Sequence, residues 1–346
     1  MTGPRAVLAA AAAALGTELT GGETLGGSDR SLVLRATAGD RPVVLKAPLD
    51  SGPGPVRELA ALRLLAGVPG VVRLLAESGD PPVLVLEDLG PGPSLADALL
   101  GSDPAAAQAA LDGWAGTLGA VQAATAGLGA AFAAGLAELS RLGPPPADGS
   151  ADMLAEAAGA LARHLPRLGV HPSPAALDEL RALRLEGPGV LTPGDTCPDN
   201  TVATPDGYVL FDLEAAEFRH PAWDAAYLRV PWPTCWCAWT LPDAVAEQAL
   251  ARWRAAFGPV PAGFDADLDR ATLAWAFVSA GFFLPRILAG ADSVRDDRIP
   301  LRRTMLQHRF TTAPGTGPLA DLATEVATAL HQTYGDHPLP LAPAFR

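Results

Sequence analysis

Cysteine is scarce in this chain of 346 residues, which contains only Cys197, Cys235 and Cys237. Three cysteines give no disulfide framework, and their scarcity indicates a reducing compartment. Cys235 and Cys237 lack a second cysteine pair or a clustered histidine at metal-site spacing, which favours a buried apolar role over zinc binding. Cys197 is interpreted as a small filler residue, with a modifiable thiol as the alternative.

Basic residues are also few. The chain has 25 Lys and Arg against 38 Asp and Glu, which gives a net charge of −13. Because proteins bind phosphate backbones with Lys and Arg, this balance argues against nucleic acid as a partner. It suits a small cationic substrate, although an acidic surface is also a common device for solubility.

Long apolar runs free of charge and proline are missing, so we expect no membrane span, which needs ~20 such residues. Residues 6–15 are mostly alanine, follow a single Arg5 and lack a clear cleavage site, which predicts a short helix rather than a signal peptide. We therefore expect a cytoplasmic monomer or homodimer. A chain of this length normally divides into more than one compact unit.

The most informative segment spans residues 191–214 and surrounds a strong turn signal, the Pro-Asp-Gly of residues 205–207. Proline presets the first turn position, and glycine accepts a left-handed one. Strand-forming residues lie on both sides, at 201–203 and 208–211, and predict a β-hairpin.

This hairpin is expected to bring polar side chains together. If a three-residue loop with a glycine bulge pairs Thr204 with Tyr208, Asn200 lies opposite Asp212 on one face, with Cβ atoms about 5 Å apart. Asp195 lies on the loop just before. Such oxygen atoms are the ligands that Mg²⁺ prefers. A chance spacing is the alternative, but it leaves unexplained a costly carboxylate at the end of an apolar strand.

The segment resembles the signature of the aminoglycoside phosphotransferase family, roughly His-Gly-Asp-x4-Asn followed by Ile-Asp-x-Glu. The matching residues are Pro-Gly-Asp-x4-Asn at 193–200, Phe-Asp-Leu-Glu at 211–214 and Pro-x-x-Asp at 221–224. Pro193 stands where the family has a histidine that commonly helps to fix the catalytic loop. The resemblance implies an α+β, bilobal protein-kinase-like fold with a small antiparallel-sheet N-lobe and a larger, mainly helical C-lobe.

The resemblance also implies a reaction and roles for residues. Asp195 is expected to accept the proton of an acceptor hydroxyl, while Asn200 and Asp212 hold Mg²⁺ against the phosphates of ATP (or GTP). The nucleotide-binding lobe is expected at residues 1–90, and the helical lobe with the catalytic loop and acceptor site at 91–346.

The order of elements upstream fits the first lobe. Gly26, Gly27 and Ser28 lie between an extended segment and the predicted strand 32–36. Glycines there would let backbone amides approach phosphates closely. Gly-Gly alone is a weak signal, so this expectation rests on its position in the chain.

Lys46 is the only lysine of the chain and lies on the predicted strand 42–46, and Glu58 lies on the predicted helix 56–65. In kinase-like folds a strand lysine binds the phosphates and a helix glutamate holds it. A strand-end lysine reaching solvent and an exposed helical glutamate are the alternatives.

By the same resemblance, the apolar strand 83–86 leads into a hinge at Glu87, Asp88 and Leu89, where backbone groups are expected to bind adenine. Ser94 is expected to cap the next helix. The rest of the chain is predicted as helices at residues 105–133, 151–167, 174–185, 244–257, 271–288 and 319–334.

The predicted activity is transfer of the γ-phosphoryl group of ATP (or GTP) to a hydroxyl of a small acceptor. An aminoglycoside or related antibiotic is the leading candidate, and amino sugars, amino alcohols and other metabolites remain open. A nucleotide-binding pseudokinase is the alternative suggested by Pro193. A metal-dependent hydrolase built on the same acids would not need Lys46.

Overall fold

The computed structural model describes residues 3–28, 30–49, 52–140, 149–236, 238–293 and 298–346, with the backbone alone at residues 26–28. A small antiparallel sheet forms from the first ninety residues, and the remainder is mainly helical. The fold is therefore of the predicted α+β class.

The sheet has five strands in the order β1-β2-β3-β5-β4, each antiparallel to its neighbours. Their bounds are β1 Leu19–Ser28, β2 Ser31–Ala38, β3 Arg41–Pro48, β4 Leu74–Gly79 and β5 Pro82–Glu87. In β3 every second residue from Val43 to Ala47 is buried, which is the pattern of a strand covered on one face.

Two helices flank this sheet, α1 (Pro4–Leu15) and α2 (Gly54–Leu64). Helix α1 buries Val7 and Ala11 against apolar sheet residues such as Leu34, forming a small core separate from the main one. The predicted short N-terminal helix is therefore confirmed, and its alanines allow close packing on the sheet.

The remainder contains ten helices within the described residues: α3 Leu95–Leu100, α4 Pro104–Ala124, α5 Gly129–Leu139, α6 Gly149–His164, α7 Pro174–Ala182, α8 Ala222–Ala225, α9 Asp243–Phe257, α10 Phe264–Leu288, α11 Arg302–Thr311 and α12 Pro318–Tyr334. Ser94 caps α3 as predicted, by accepting a hydrogen bond from Asp97 N. Short antiparallel pairs join β6 (Val190–Thr192) to β9 (Glu217–Arg219) and β7 (Thr201–Thr204) to β8 (Gly207–Leu210).

Helix α10 forms the centre of the helical part. It is long and apolar enough to cross a membrane, but 67% of that window is buried inside the protein, as expected of a core helix. The helix begins seven residues before the predicted start and contains Pro285 near its end. Most of its first five turns are packed in the main core.

The single helix predicted at residues 105–133 is wrong, because the chain forms α4 and α5, bent by 85°. The break comes at residues 125–128, where Gly127 takes a left-handed backbone with φ of 80°. Glycine adopts this conformation without the steric cost that other residues carry.

The β7–β8 hairpin also differs from the predicted register. Thr204 pairs with Gly207 rather than Tyr208, so the loop has two residues instead of three. The hydroxyl of Thr204 donates to the carbonyl of Gly207 at 2.8 Å and closes this tighter turn. Consequently, Asn200 accepts a backbone hydrogen bond from Phe211 N at 3.1 Å, and it does not lie opposite Asp212.

This hairpin is attached to the sheet side of the molecule. Val72 N donates to Leu210 O at 3.0 Å, and Leu210 N donates to Gly70 O at 2.9 Å. On the other strand, Ala203 N donates to Pro93 O at 2.9 Å. The hairpin therefore connects the segment before β4 with the segment after β5, and it fixes where the loops at its open end lie.

Candidate active site

A cleft of about 1010 Å³ lies between the sheet and the helical part. It is lined by six of the residues singled out from the sequence: Lys46, Glu58, Glu87, Asp88, Leu89 and Asp212. Their positions on β3, α2, the end of β5 and the end of β8 show that distant parts of the sequence converge on one space.

Lys46 forms ion pairs across this cleft. Its Nζ lies 2.7 Å from Glu58 Oε2 and 2.5 Å from Asp212 Oδ1. Burial alone would lower the pKa of Lys46, but the two carboxylates outweigh that effect and raise it. Lys46 therefore stays charged, and Glu58 holds it on the sheet side of the cleft.

Residues 87–89, at the end of β5 and directly after it, line the cleft, and two of their side chains are held by hydrogen bonds. Arg35 Nε donates to Asp88 Oδ2 at 2.6 Å, and Gly90 N donates to Asp88 Oδ1 at 2.9 Å. Glu87 accepts from Arg73 Nε at 2.7 Å. These hydrogen bonds fix the segment at the edge of the cleft.

Gly26, Gly27 and Ser28 end β1, where their backbones pair with Val33, Leu32 and Ser31. The next residue, Asp29, lies outside the part of the chain that the structure describes. Leu25 and Arg30, on either side of this segment, both line the cleft. The glycine segment is therefore a hairpin end at the cleft rather than a link before the first paired strand.

Asp195 lies on the loop between β6 and β7, directly after a glycine that the loop requires. Gly194 has φ of 81°, and a Cβ atom there would meet Ala215 O at 1.9 Å. Thr234 Oγ1 donates to Asp195 Oδ1 at 2.7 Å. Burial raises the pKa of Asp195 to about 6, with the nearby charge of Asp199 adding to it and the Thr234 hydrogen bond opposing it.

Asn200 and Asp212 remain at the same end of the hairpin despite the changed register. Asn200 Nδ2 donates to Asp195 O at 3.1 Å, which leaves Asn200 Oδ1 as the atom of this side chain that a cation can use. Asp212 follows β8 with a left-handed backbone, φ of 61°. Only one of its carboxylate oxygens contacts Lys46 in the ion pair.

These residues fit a magnesium ion by their chemistry. Asn200 and Asp212 provide an amide oxygen and a carboxylate oxygen, which are hard donors of the kind Mg²⁺ takes alongside water and phosphate. The charge of Asp212 also raises the pKa of Asp195, so the two carboxyl groups are close enough to interact. A divalent cation there would offset this repulsion.

Two cysteines are bonded to each other, which makes the prediction of no disulfide wrong. Cys197 and Cys235 form a disulfide with Cα atoms 5.4 Å apart, within the range usual for such bonds. Sequence spacing could not reveal this, because the two cysteines are 38 positions apart and meet only when the chain returns to the same loop. The scarcity of cysteine therefore no longer supports a reducing compartment. Cys237 lies outside the described residues.

Other cleft residues had no individual role in the prediction from the sequence, although the aromatic patch at residues 231–239 was a candidate pocket wall, with core packing as the alternative. Glu214 pairs with Arg30 at 2.6 Å and lies 3.8 Å from Lys46, and its place in the Asp-x-Glu pattern was the available signal. Trp236 Nε1 donates to Asp199 Oδ2 at 2.7 Å, and both residues line the cleft. Nothing in the local sequence signals that pairing or the Thr234 contact.

Solved structures resemble this chain in fold. A candidate aminoglycoside phosphotransferase from Ralstonia eutropha has a TM-score of 0.57 at 17% identity, with 90% of this chain and 93% of that chain covered. A candidate fructosamine-3-kinase from Thermobifida fusca has a TM-score of 0.52 at 19% identity, with 84% and 96% covered. Spectinomycin phosphotransferase, crystallised with ADP and spectinomycin, has a TM-score of 0.50 at 9% identity, with 92% and 97% covered.

No curated protein matches the chain significantly. The model of the phosphotransferase enzyme family matches residues 23–266, which include most of the sheet, most of the cleft residues and the Gly-Asp-x4-Asn pattern of residues 194–200. The chain therefore belongs to the phosphotransferase enzyme family, and its fold is the bilobal, protein-kinase-like fold predicted from its sequence.

Proposed function

We propose that this protein is a small-molecule kinase that transfers the γ-phosphoryl group of ATP (or GTP) to a hydroxyl of a small cationic acceptor. The observation that carries the proposal is the pair of contacts from Lys46 to Glu58 and Asp212, in one cleft and beside the loop of Asp195. A hydrolase built on the acids alone would have no use for this lysine.

Each residue of the site has a separate role in the proposed reaction. Lys46, held by Glu58, neutralises phosphate charge from the sheet side, and the backbone of residues 87–89 holds the base. Mg²⁺ bound by Asn200 and Asp212 would supply positive charge to the phosphates. Such transfer depends mainly on positioning and electrostatics, so the arrangement of these charges sets the rate.

Asp195 orients the acceptor hydroxyl and accepts its proton. A pKa raised to about 6 is still low enough for the carboxylate form to dominate at pH 7, as a general base requires. Asp97 and Asp199 line the cleft and would attract a cationic acceptor together with Asp195. Trp236 adds an aromatic surface there.

The acceptor class follows from charge. Asp97, Asp199 and Trp236 line the cleft, and we assign them to the acceptor side; the whole chain carries −13. An aminoglycoside or related antibiotic is the first candidate, and an amino sugar or amino alcohol meets the same requirement. We place the lobe boundary at residues 90 and 91 and expect a cytoplasmic enzyme, where ATP is available.

A coupled assay of ADP release tests this proposal. The purified protein, MgATP or MgGTP, and a panel of aminoglycosides, amino sugars and amino alcohols are combined, and products are checked by mass for one added phosphoryl group. We expect transfer to at least one cationic acceptor and none to its deoxy analogue. Tight MgATP binding with no transfer to any acceptor would instead support a pseudokinase.

A further inference from the structure

Within its own loop, the Asp195 carboxylate receives a hydrogen bond from the backbone N–H of Cys197. Two residues before it, Pro193 has neither a polar side chain nor a backbone N–H to donate. Gly194 contributes no side chain at all. The side-chain hydrogen bond to the carboxylate comes from Thr234, a residue 39 positions later, at 2.7 Å.

A second hydroxyl lies behind Thr234. The oxygen of Tyr227 is 2.9 Å from Thr234 Oγ1 and 3.3 Å from Gly194 O. The single hydroxyl proton of Thr234 is used on Asp195, so Tyr227 is the donor in the contact between the two hydroxyls, and its proton is shared with Gly194 O. The chain of donors therefore runs in one direction, from Tyr227 through Thr234 to Asp195.

Tyr227 is suited to remain a donor. Its side chain is fully buried, at 0% exposure. Burial raises the pKa of Tyr227 well above its usual value of 10, and the charge of Asp195 raises it further. The phenol therefore stays protonated throughout the pH range in which a kinase works.

The segment that carries Thr234 is attached to the Asp195 loop on both sides of the contact. Cys235 lies beside Cys197, with Cα atoms 5.4 Å apart, and Trp236 Nε1 donates to Asp199 at 2.7 Å. On the other side, Trp232 has a left-handed backbone, and its carbonyl accepts from the buried Arg309 at 3.3 Å. The position of Thr234 is thus fixed by its surroundings.

We propose that Thr234, supported by Tyr227, is the positioning residue that aims the carboxylate of Asp195 at the acceptor hydroxyl. This inference rests on the proposed role of Asp195 as the base. Thr234 itself need not touch the acceptor or the nucleotide. It supplies from a distant segment the orientation that Pro193 cannot give.

Steady-state kinetics of three variants test the inference. Thr234→Val keeps the shape of the side chain and removes the donor, so we expect kcat to fall about tenfold to a hundredfold with KM for MgATP unchanged. Thr234→Ser keeps the hydroxyl and should retain most of kcat. Tyr227→Phe should give an intermediate loss, because Thr234 can still donate.

A wild-type kcat in Thr234→Val would overturn the proposal. So would equal losses in the Val and Ser variants, because a purely structural role would not distinguish them by the hydroxyl. Binding of MgATP, measured by titration, confirms that each variant is folded.

A crystallographic comparison decides the inference even if no acceptor is found and the proposed function fails. In Thr234→Val we expect the Asp195 carboxylate to rotate away from its wild-type position, while Thr234→Ser keeps it. An unchanged carboxylate in Thr234→Val would contradict the positioning role, whatever reaction the protein catalyses.

Discussion

At Lys46, one ammonium group contacts carboxylates on α2 and on the chain after β8. Sequence reasoning could select Lys46 because it is the only lysine, and Glu58 because its helix follows the strand. The sequence does not identify Thr234 as a site residue. Its hydrogen bond to Asp195 joins residues 39 positions apart, and neither their spacing nor the hydrophobic pattern indicates such a contact. The residues that support a site are thus harder to predict than the charged residues within it.

Asp212→Asn is predicted to weaken the Mg²⁺-dependent part of ATP binding by about tenfold or more, equal to about 1.4 kcal/mol or more. Asparagine tolerates the left-handed backbone at this position, so the substitution changes charge with little strain. The measurement is a calorimetric ATP titration with and without Mg²⁺.

Asp206→Asn is the matched control, because Asp206 lies exposed at the turn end of the same hairpin. It should bind MgATP like the wild type. Unchanged Mg²⁺ dependence in Asp212→Asn would count against the proposed metal site.

His308 gives a prediction for pH. Burial and the neighbouring charge of Arg309 lower the pKa of His308 from 6.5 to about 4. The unfolded chain then binds more protons between these values, so stability is full above pH 6.5 and is lost as pH falls towards 4. From pH 7 to pH 5 this group should cost about 2 kcal/mol.

Urea unfolding of the wild type and His308→Gln at both pH values measures this contribution. We expect the variant to lose less stability on acidification, even if it is less stable at pH 7. His171→Gln, at an exposed position, serves as the control. Equal losses in His308→Gln and the wild type would disprove the assignment.

At the scale of elements, prediction succeeded where apolar periodicity was clear. Strands β2, β3 and β5 and most helices lie close to their predicted bounds. Helix α11 was missed because its buried residues include Gln307 and Arg309, which break the apolar pattern. The predicted register of the hairpin is wrong by one residue, because the sequence Pro-Asp-Gly is compatible with loops of two or three residues.

Helix α4 provides a matched pair of substitutions that tests its packing on α9. A Cβ atom at Gly119 would lie 2.5 Å from Trp253 O on α9, whereas one at Gly116 would meet nothing within 4 Å. Gly119→Ala should therefore destabilise the protein by about 1 to 3 kcal/mol.

Gly116→Ala, one helical turn away, should be neutral or stabilising by up to about 1 kcal/mol, because alanine favours the helix. Thermal unfolding of the two variants compares them directly. A Gly119→Ala variant as stable as Gly116→Ala would mean that the two helices do not pack at this distance.

At the scale of the whole molecule, the sequence predicted the fold through one motif and the order of elements before it. Residues 195, 200 and 212 indicated the family, and the family supplied the two-lobed arrangement. The acceptor could not be predicted in this way, because cleft residues such as Asp199 and Trp236 come together only through folding. The net negative charge favours a cationic acceptor without identifying it, whereas the fold indicates the type of reaction.

The central claim is that Asp195 acts as the base for phosphoryl transfer in a cleft that binds MgATP independently of it. Its most direct test is the rate of transfer by Asp195→Ala at saturating MgATP and acceptor, with ATP binding titrated in the same preparation. We predict a rate lower by about a hundredfold or more, with ATP binding retained. Transfer at the wild-type rate would contradict the claim.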